Sequence, residues 1–221
     1  LSTRQPDAQS REERVKQVAG VQRSILRGAD AILSSKTDVN EDVLLGAVRL
    51  KFRAYRVLSY LGDEQAAAAL RTFAEQLQKD NRPMLAEEGA FQLLAVRVDR
   101  MDPSNGRELQ VLVDDLLRFL QTTPFDPGRF SFAMQVAEQL GNFGQPQLAA
   151  VAYEGLANLA TASGDPRVVP MAAHFQAVAR RMRLPGNEMQ IEGTTIEGRP
   201  FDWDAYRGKV VLVDFWATWC G

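Results

Sequence analysis

Gly62, Pro103, Gly144 and Pro185 recur every 41 residues, and inside the blocks they mark, Pro83, Pro124 and Asp165 again stand 41 apart. Glycine and proline end helices, so this punctuation cuts the first 184 residues into helix-length segments, two to a block. The breaks fall at Ser34 to Asn40, Gly62-Asp63, Asn81-Arg82-Pro83, Asp102 to Gly106, Thr122 to Gly128, Gly141 to Gly144, Ser163 to Pro166 and Leu184-Pro185-Gly186. A fixed period of this length per helix pair is the pattern of an α-solenoid, in which no pair buries its apolar face alone and stacking completes the core. The expected fold of residues 1–184 is therefore mainly α, as TPR-like stacked hairpins, with an irregular helical bundle as the alternative.

Helix starts carry their own signals. Ser10-Arg11-Glu12-Glu13 has capping-box spacing, which places the first helix start at Ser10. Asn40 precedes Glu41 and Asp42, acidic residues suited to a positive first turn, and Asp165-Pro166 sets a cap before a proline. Val43, Leu44, Ala47, Val48, Leu50, Ala54, Val57, Leu58 and Leu61 recur at helical spacing and form one broad apolar face.

Composition narrows the function. With 26 Lys+Arg against 28 Asp+Glu the formal charge is -2, which removes the general electrostatic case for nucleic acid. No apolar run approaches the roughly 18 residues that cross a bilayer. The chain opens at Leu1, so a leader or membrane tether upstream stays compatible with it. One cysteine excludes an intrachain disulfide and a multi-cysteine zinc cage, and the one histidine, His174, has no metal-spaced neighbour. No cofactor and no metal are expected. Glu87-Glu88, Arg97, Asp99, Arg100 and the run Arg180-Arg181-Met182-Arg183 read as solvated helix faces, while Phe119, Phe125, Phe130, Phe132 and Phe143 read as interhelical core.

Residues 185–221 differ in character and read as a second unit. Glu188 to Glu192 and Thr194 to Ile196 alternate around Gly193, and Gly198 turns the chain again, which predicts a hairpin. Val210-Val211-Leu212-Val213 is a β-branched and aliphatic run suited to a strand buried on both faces of a parallel-type sheet. About 36 residues cannot enclose such a sheet, so the unit is expected to be the incomplete start of an α/β domain.

The segment from Gly208 reads Gly-Lys-Val-Val-Leu-Val-Asp-Phe-Trp-Ala-Thr-Trp-Cys-Gly, ending at Gly221. With Gly198-Arg199-Pro200-Phe201 and Tyr206-Arg207-Gly208-Lys209 before it, this resembles the active-site entry of TlpA/ResA-like thiol-disulfide oxidoreductases of the thioredoxin-like superfamily. The resemblance covers residues 186–221. It implies that Cys220 is the first cysteine of a WCxxC motif whose second cysteine would stand at position 223. It also implies protein thiols or disulfides as substrate, a redox donor protein, no nucleic acid and an extracytoplasmic home. A cysteine at a strand-to-helix junction faces unsatisfied amides and a positive dipole end, both favouring thiolate. Asp214 stands where thioredoxins keep a buried carboxylate. It reads either as a proton-transfer group for the resolving thiol or as a hydrogen-bond partner of the backbone. Trp219 would shape the surface that meets substrate, with Trp216 and Phe215 as packing. A peroxiredoxin is the weaker relative, because Trp219 directly precedes the cysteine and Ala217 stands where threonine is expected. A non-catalytic helical interaction module is the reading from another class.

Overall fold

Every predicted break coincides with a helix boundary in the computed structural model, which describes residues 8–35, 39–189, 191–214 and 216–217. The helices are α1 (Ala8–Leu33), α2 (Glu41–Tyr60), α3 (Glu64–Leu77), α4 (Pro83–Val98), α5 (Gly106–Thr122), α6 (Pro127–Asn142), α7 (Pro146–Ser163) and α8 (Met171–Met182). The protein is thus mainly α among the described residues.

Local chemistry sets most of these ends. The side chains of Asn40, Asp63, Asn105 and Asp126 each accept a backbone N–H of the first turn, at 2.8, 3.1, 3.2 and 2.9 Å. Pro83, Pro127 and Pro146 open α4, α6 and α7, where a missing N–H costs nothing. Gly62 and Gly144, two periods apart, close α2 and α6 in the same way. Each has positive φ (91° and 73°), and each is followed by an N–H that reaches back to a carbonyl of the last turn, Asp63 to Leu58 and Gln145 to Leu140.

Two start signals are overridden. Helix α1 is already running at Ala8, ahead of Ser10. Asp165 Oδ1 does accept the N–H of Arg167 at 2.8 Å, but the turns it opens do not become α8, which begins at Met171. Pro170 supplies the reason: it has no N–H, and its ring disfavours helical backbone at the residue before it.

Each helix packs on the next in the chain, and α2 also meets α4 as α5 meets α7. Two apolar clusters result. One gathers Val48, Phe52, Leu70 and Leu85 from α2 to α4; the other gathers Leu109, Val113, Leu140, Leu156 and Phe175 from α5 to α8, joined by Leu94 and Val98 of α4. Burying each such side chain contributes about 1.5–3 kcal/mol.

Beyond Leu184 the predicted strands do not form among the described residues. A single antiparallel bridge joins Thr194 and Pro200, with Thr195 N–H donating to Arg199 O at 2.8 Å and Phe201 N–H to Gly193 O at 2.9 Å. The pairing therefore folds across Gly198, whose φ of 78° makes the turn, and not across Gly193. Val210 to Val213 form no strand, because a strand needs a ladder partner and no described residue offers one. Val210 and Leu212 are fully exposed, while Val211 between them is 38% exposed. Phe201, Trp203 and Tyr206 pack ring on ring at 5.7 to 6.3 Å, and Trp203 Nε1 donates to Met189 O.

Helices α3 and α4 cross at Gly89, where an added Cβ would lie 2.5 Å from Gln78 N and 2.8 Å from Ala74 O. Backbone atoms cannot yield, so Gly89→Ala is expected to destabilise the protein by at least about 2 kcal/mol in chemical denaturation. Gly20→Ala, on open α1 surface with nothing near its Cβ, should instead stabilise by up to about 1 kcal/mol.

Candidate functional site

The sequence places its chemistry at Cys220, Asp214 and Trp219. Cys220 and Trp219 lie outside the described residues, as does Phe215. Asp214 is exposed, and it borders a shallow hollow of about 470 Å³ whose apolar wall comes from Phe201, Trp203 and Tyr206. Trp216 is 75% exposed. The segment thus brings Asp214 beside the aromatic trio. His174 is exposed on α8 against the edge of Phe175. Among the described residues no group of three or more His, Cys, Asp or Glu is placed to hold a metal ion, and no helix is long and apolar enough to cross a membrane.

The helical region holds a polar centre that the sequence reading assigned to solvent. Glu88 is 2% exposed, not on a solvated face. It occupies the buried stripe of α4 with Leu85, Gln92 and Ala95, three or four residues apart. Its Oε2 accepts from Arg49 of α2 at 3.2 Å and Arg129 of α6 at 3.4 Å, and its Oε1 accepts from Gln92 at 2.8 Å. Arg56 donates to the amide oxygen of Gln92 at 3.1 Å. Arg129 is itself 6% exposed, bonds Glu87 at 3.4 Å, and lies 5.5 and 5.2 Å from the ring centres of Phe91 and Phe119. Among the described residues its Nε is buried without a hydrogen-bond partner. Arg49 also bonds Asp126, the cap of α6, at 3.2 Å. Burial pushes the Asp126 carboxyl up, but the N–H of Arg129 and the guanidiniums of Arg49 and Arg129 hold it below the usual carboxylate range.

Phe119 links this centre to a groove between α3, α4 and α5. The groove has a volume of about 660 Å³, and Leu93, Leu94, Val96 and Phe119 give it an apolar floor. Arginines line its rim. Arg71 pairs with Glu75 at 2.8 Å, and Arg97 and Arg118 share Asp115 at 2.7 and 3.3 Å. Arg100 also lines a smaller adjoining hollow that reaches Arg56 and Tyr60. The expectation that the phenylalanines are core holds for Phe130, which is 4% exposed. Phe119 instead serves both the core and the groove, and Phe143 is 42% exposed. Arg97 pairs with Asp115 while its side chain keeps 40% of its surface exposed.

Two expectations follow for the polar centre. Glu88→Ala leaves two guanidiniums without their shared carboxylate and should cost about 3–5 kcal/mol in urea denaturation; a loss under about 1 kcal/mol would show the centre to be weakly coupled. Asp126 has its folded pKa depressed, so its stabilisation is complete above the ordinary carboxylate pKa and is lost as pH falls through the folded value. Thermal melts from about pH 5 down to about pH 2 should therefore drop more steeply for the parent than for Asp126→Asn.

No family model matches the chain, and neither the curated proteins nor the solved structures hold a match to it, so its functional reading rests on its own residues and their geometry.

Proposed function

We propose that this chain carries the catalytic entry of a thiol-disulfide oxidoreductase of the TlpA/ResA-like, thioredoxin-related kind, preceded by a TPR-like helical platform that holds substrate or partner protein. The observation that carries the reading is the order of parts before the motif. A glycine turn closed by Thr194 and Pro200 leads to a mostly apolar segment, Val210 to Asp214, that has no ladder partner among the described residues and alternates in exposure, and in the sequence this segment runs into Phe-Trp-Ala-Thr-Trp-Cys-Gly. Exposed valine, leucine and tryptophan in such a run suit a strand meant to be covered by further sheet.

In the proposed reaction the Cys220 thiolate attacks one sulfur of a substrate disulfide. A bond forms between Cys220 Sγ and that sulfur, and the other substrate sulfur leaves as thiolate. The thiol of a second cysteine, three positions on, then displaces the substrate's remaining sulfur. The substrate gains two electrons and two protons, and the enzyme keeps the disulfide. A dithiol donor protein restores it. Asp214 is the group proposed to take the proton of the resolving thiol, and Trp219 the one to meet the substrate beside Cys220.

The platform half draws support from the spacing of polar contacts. Five of the bonds that tie one helix pair to another join residues about one period apart, Arg23 to Asp63 (40), Arg49 to Glu88 (39), Arg56 to Gln92 (36), Arg129 to Glu88 (41) and Gln145 to Pro103 (42), whereas Arg97 to Asp115 (18) and Arg49 to Asp126 (77) do not follow that spacing. The one-period spacing is what stacked repeats of one length produce.

The coding DNA beyond the Gly221 codon gives the first test. A cysteine codon at position 223 is expected; a stop codon, or another residue there, overturns the oxidoreductase reading. The protein expressed with that continuation should reduce insulin disulfides, and Cys220→Ser should lower turnover at least about a thousandfold. Retained turnover would remove Cys220 from the role of nucleophile.

A further inference from the structure

We propose that the groove between α3, α4 and α5 binds an acidic, apolar segment of a partner protein, its carboxylates on Arg100 and Arg118 and its apolar side chain on Leu93, Val96 and Phe119. This deepens the platform half of the reading above and rests on it. Three observations converge on that occupant.

Charge comes first. Arg97 and Arg118 share a single carboxylate, Asp115, so their joint charge is only half compensated. Arg100 is exposed and has no carboxylate partner among the described residues. The remaining acids reduce this surplus without removing it: Glu75 is paired with Arg71, and Glu108, in the first turn of α5 with Asn105 Nδ2 donating to it at 3.0 Å, leaves four arginines against three carboxylates in the lining. A basic segment is disfavoured by the arginine surplus, and a carboxylate is the complement that planar guanidiniums hold best.

The floor comes second. Phe119 and the aliphatic side chains beside it form an open apolar surface within the groove, which favours a ligand that brings its own apolar side chain as well as charge. A volume of about 660 Å³ takes a short stretch of chain and not a single small ion. Nucleic acid fits less well, because the whole chain is at -2.

Rigidity comes third. One wall of the groove is pre-formed, because the Phe119 ring lies 5.2 Å from the guanidinium of buried Arg129, which Glu88 holds in turn. A pre-organised wall lowers the ordering cost of binding.

The test is fluorescence anisotropy on the 221-residue chain with the labelled peptide Asp-Glu-Leu-Phe-Glu-Asp, its counterpart with every acid changed to lysine, and an oligothymidylate. The acidic peptide should bind, and more weakly as salt rises from about 0.05 to about 0.5 M. Arg100→Glu and Arg118→Glu should each weaken it by about tenfold with helical circular dichroism unchanged. Arg53→Glu, the same charge change on α2 outside the groove, should leave it unaltered. No binding of the acidic peptide, equal or tighter binding of the lysine peptide or oligothymidylate, or indifference to Arg100→Glu overturns the proposal. The peptide carries no cysteine, so its binding reports on the groove alone, while the codon at position 223 and insulin reduction report on the redox reading, and the two failures are read separately.

Discussion

The two apolar clusters of the helical region meet at one buried carboxylate. Glu88 projects from α4, which contributes to both clusters, and it is gripped by Arg49 from one side and Arg129 from the other. Taking a carboxylate out of water costs several kcal/mol, which only close counter-charges and hydrogen bonds offset. The spacing of α2, α4 and α6 is therefore fixed by a charge geometry, whereas apolar contacts alone would tolerate sliding of one helix pair over the next. Asp126 extends the same device, since it caps α6 and also binds Arg49. The start of α6 and the middle of α2 are tied by one side chain.

How much of this could be read from the sequence depends on how local each signal is. Gly62 and Gly144 end helices through hydrogen bonds that span one turn, and Asn40 caps through its own side chain, so these boundaries are written in a few adjacent residues. Asp165 carries the same local signal and makes the same local bond, yet Pro170, five residues on, decides where α8 begins. Glu88 is hidden for a different reason. Its partners lie about one repeat away, and beside Glu87 it looks like part of an acidic solvated pair. One clue was present: Glu88 and Gln92 fall in register with Leu85 and Ala95, on the face that the apolar spacing marks as buried.

The carboxy-terminal unit shows the complementary limit. Its residues carry the proposed redox motif, but a strand depends on partners that are distant in sequence, and the described residues supply only the turn at Gly198 and the aromatic packing of Phe201, Trp203 and Tyr206. Asp214 is exposed beside that trio. Its proposed proton-transfer role requires burial next to a thiol, so the role depends on sheet and helix neighbours that the described residues do not provide.

Arginine plays two parts in the helical region, and the difference between them separates architecture from recognition. At the centre, Arg129 has carboxylates on its terminal nitrogens and aromatic rings nearby, and Arg49 is shared between two acids; these guanidiniums are occupied by the fold. In the groove the ratio is reversed. Two guanidiniums share Asp115, and Arg100 has no carboxylate among the described residues, while the apolar floor beneath them faces open space. Stability alone gives no reason to concentrate like charge around a half-buried aromatic ring, since each added cation there repels its neighbours. The arrangement becomes favourable once an external carboxylate completes it, and Phe119 joins the two settings because its ring contacts the occupied arginine and also lines the groove.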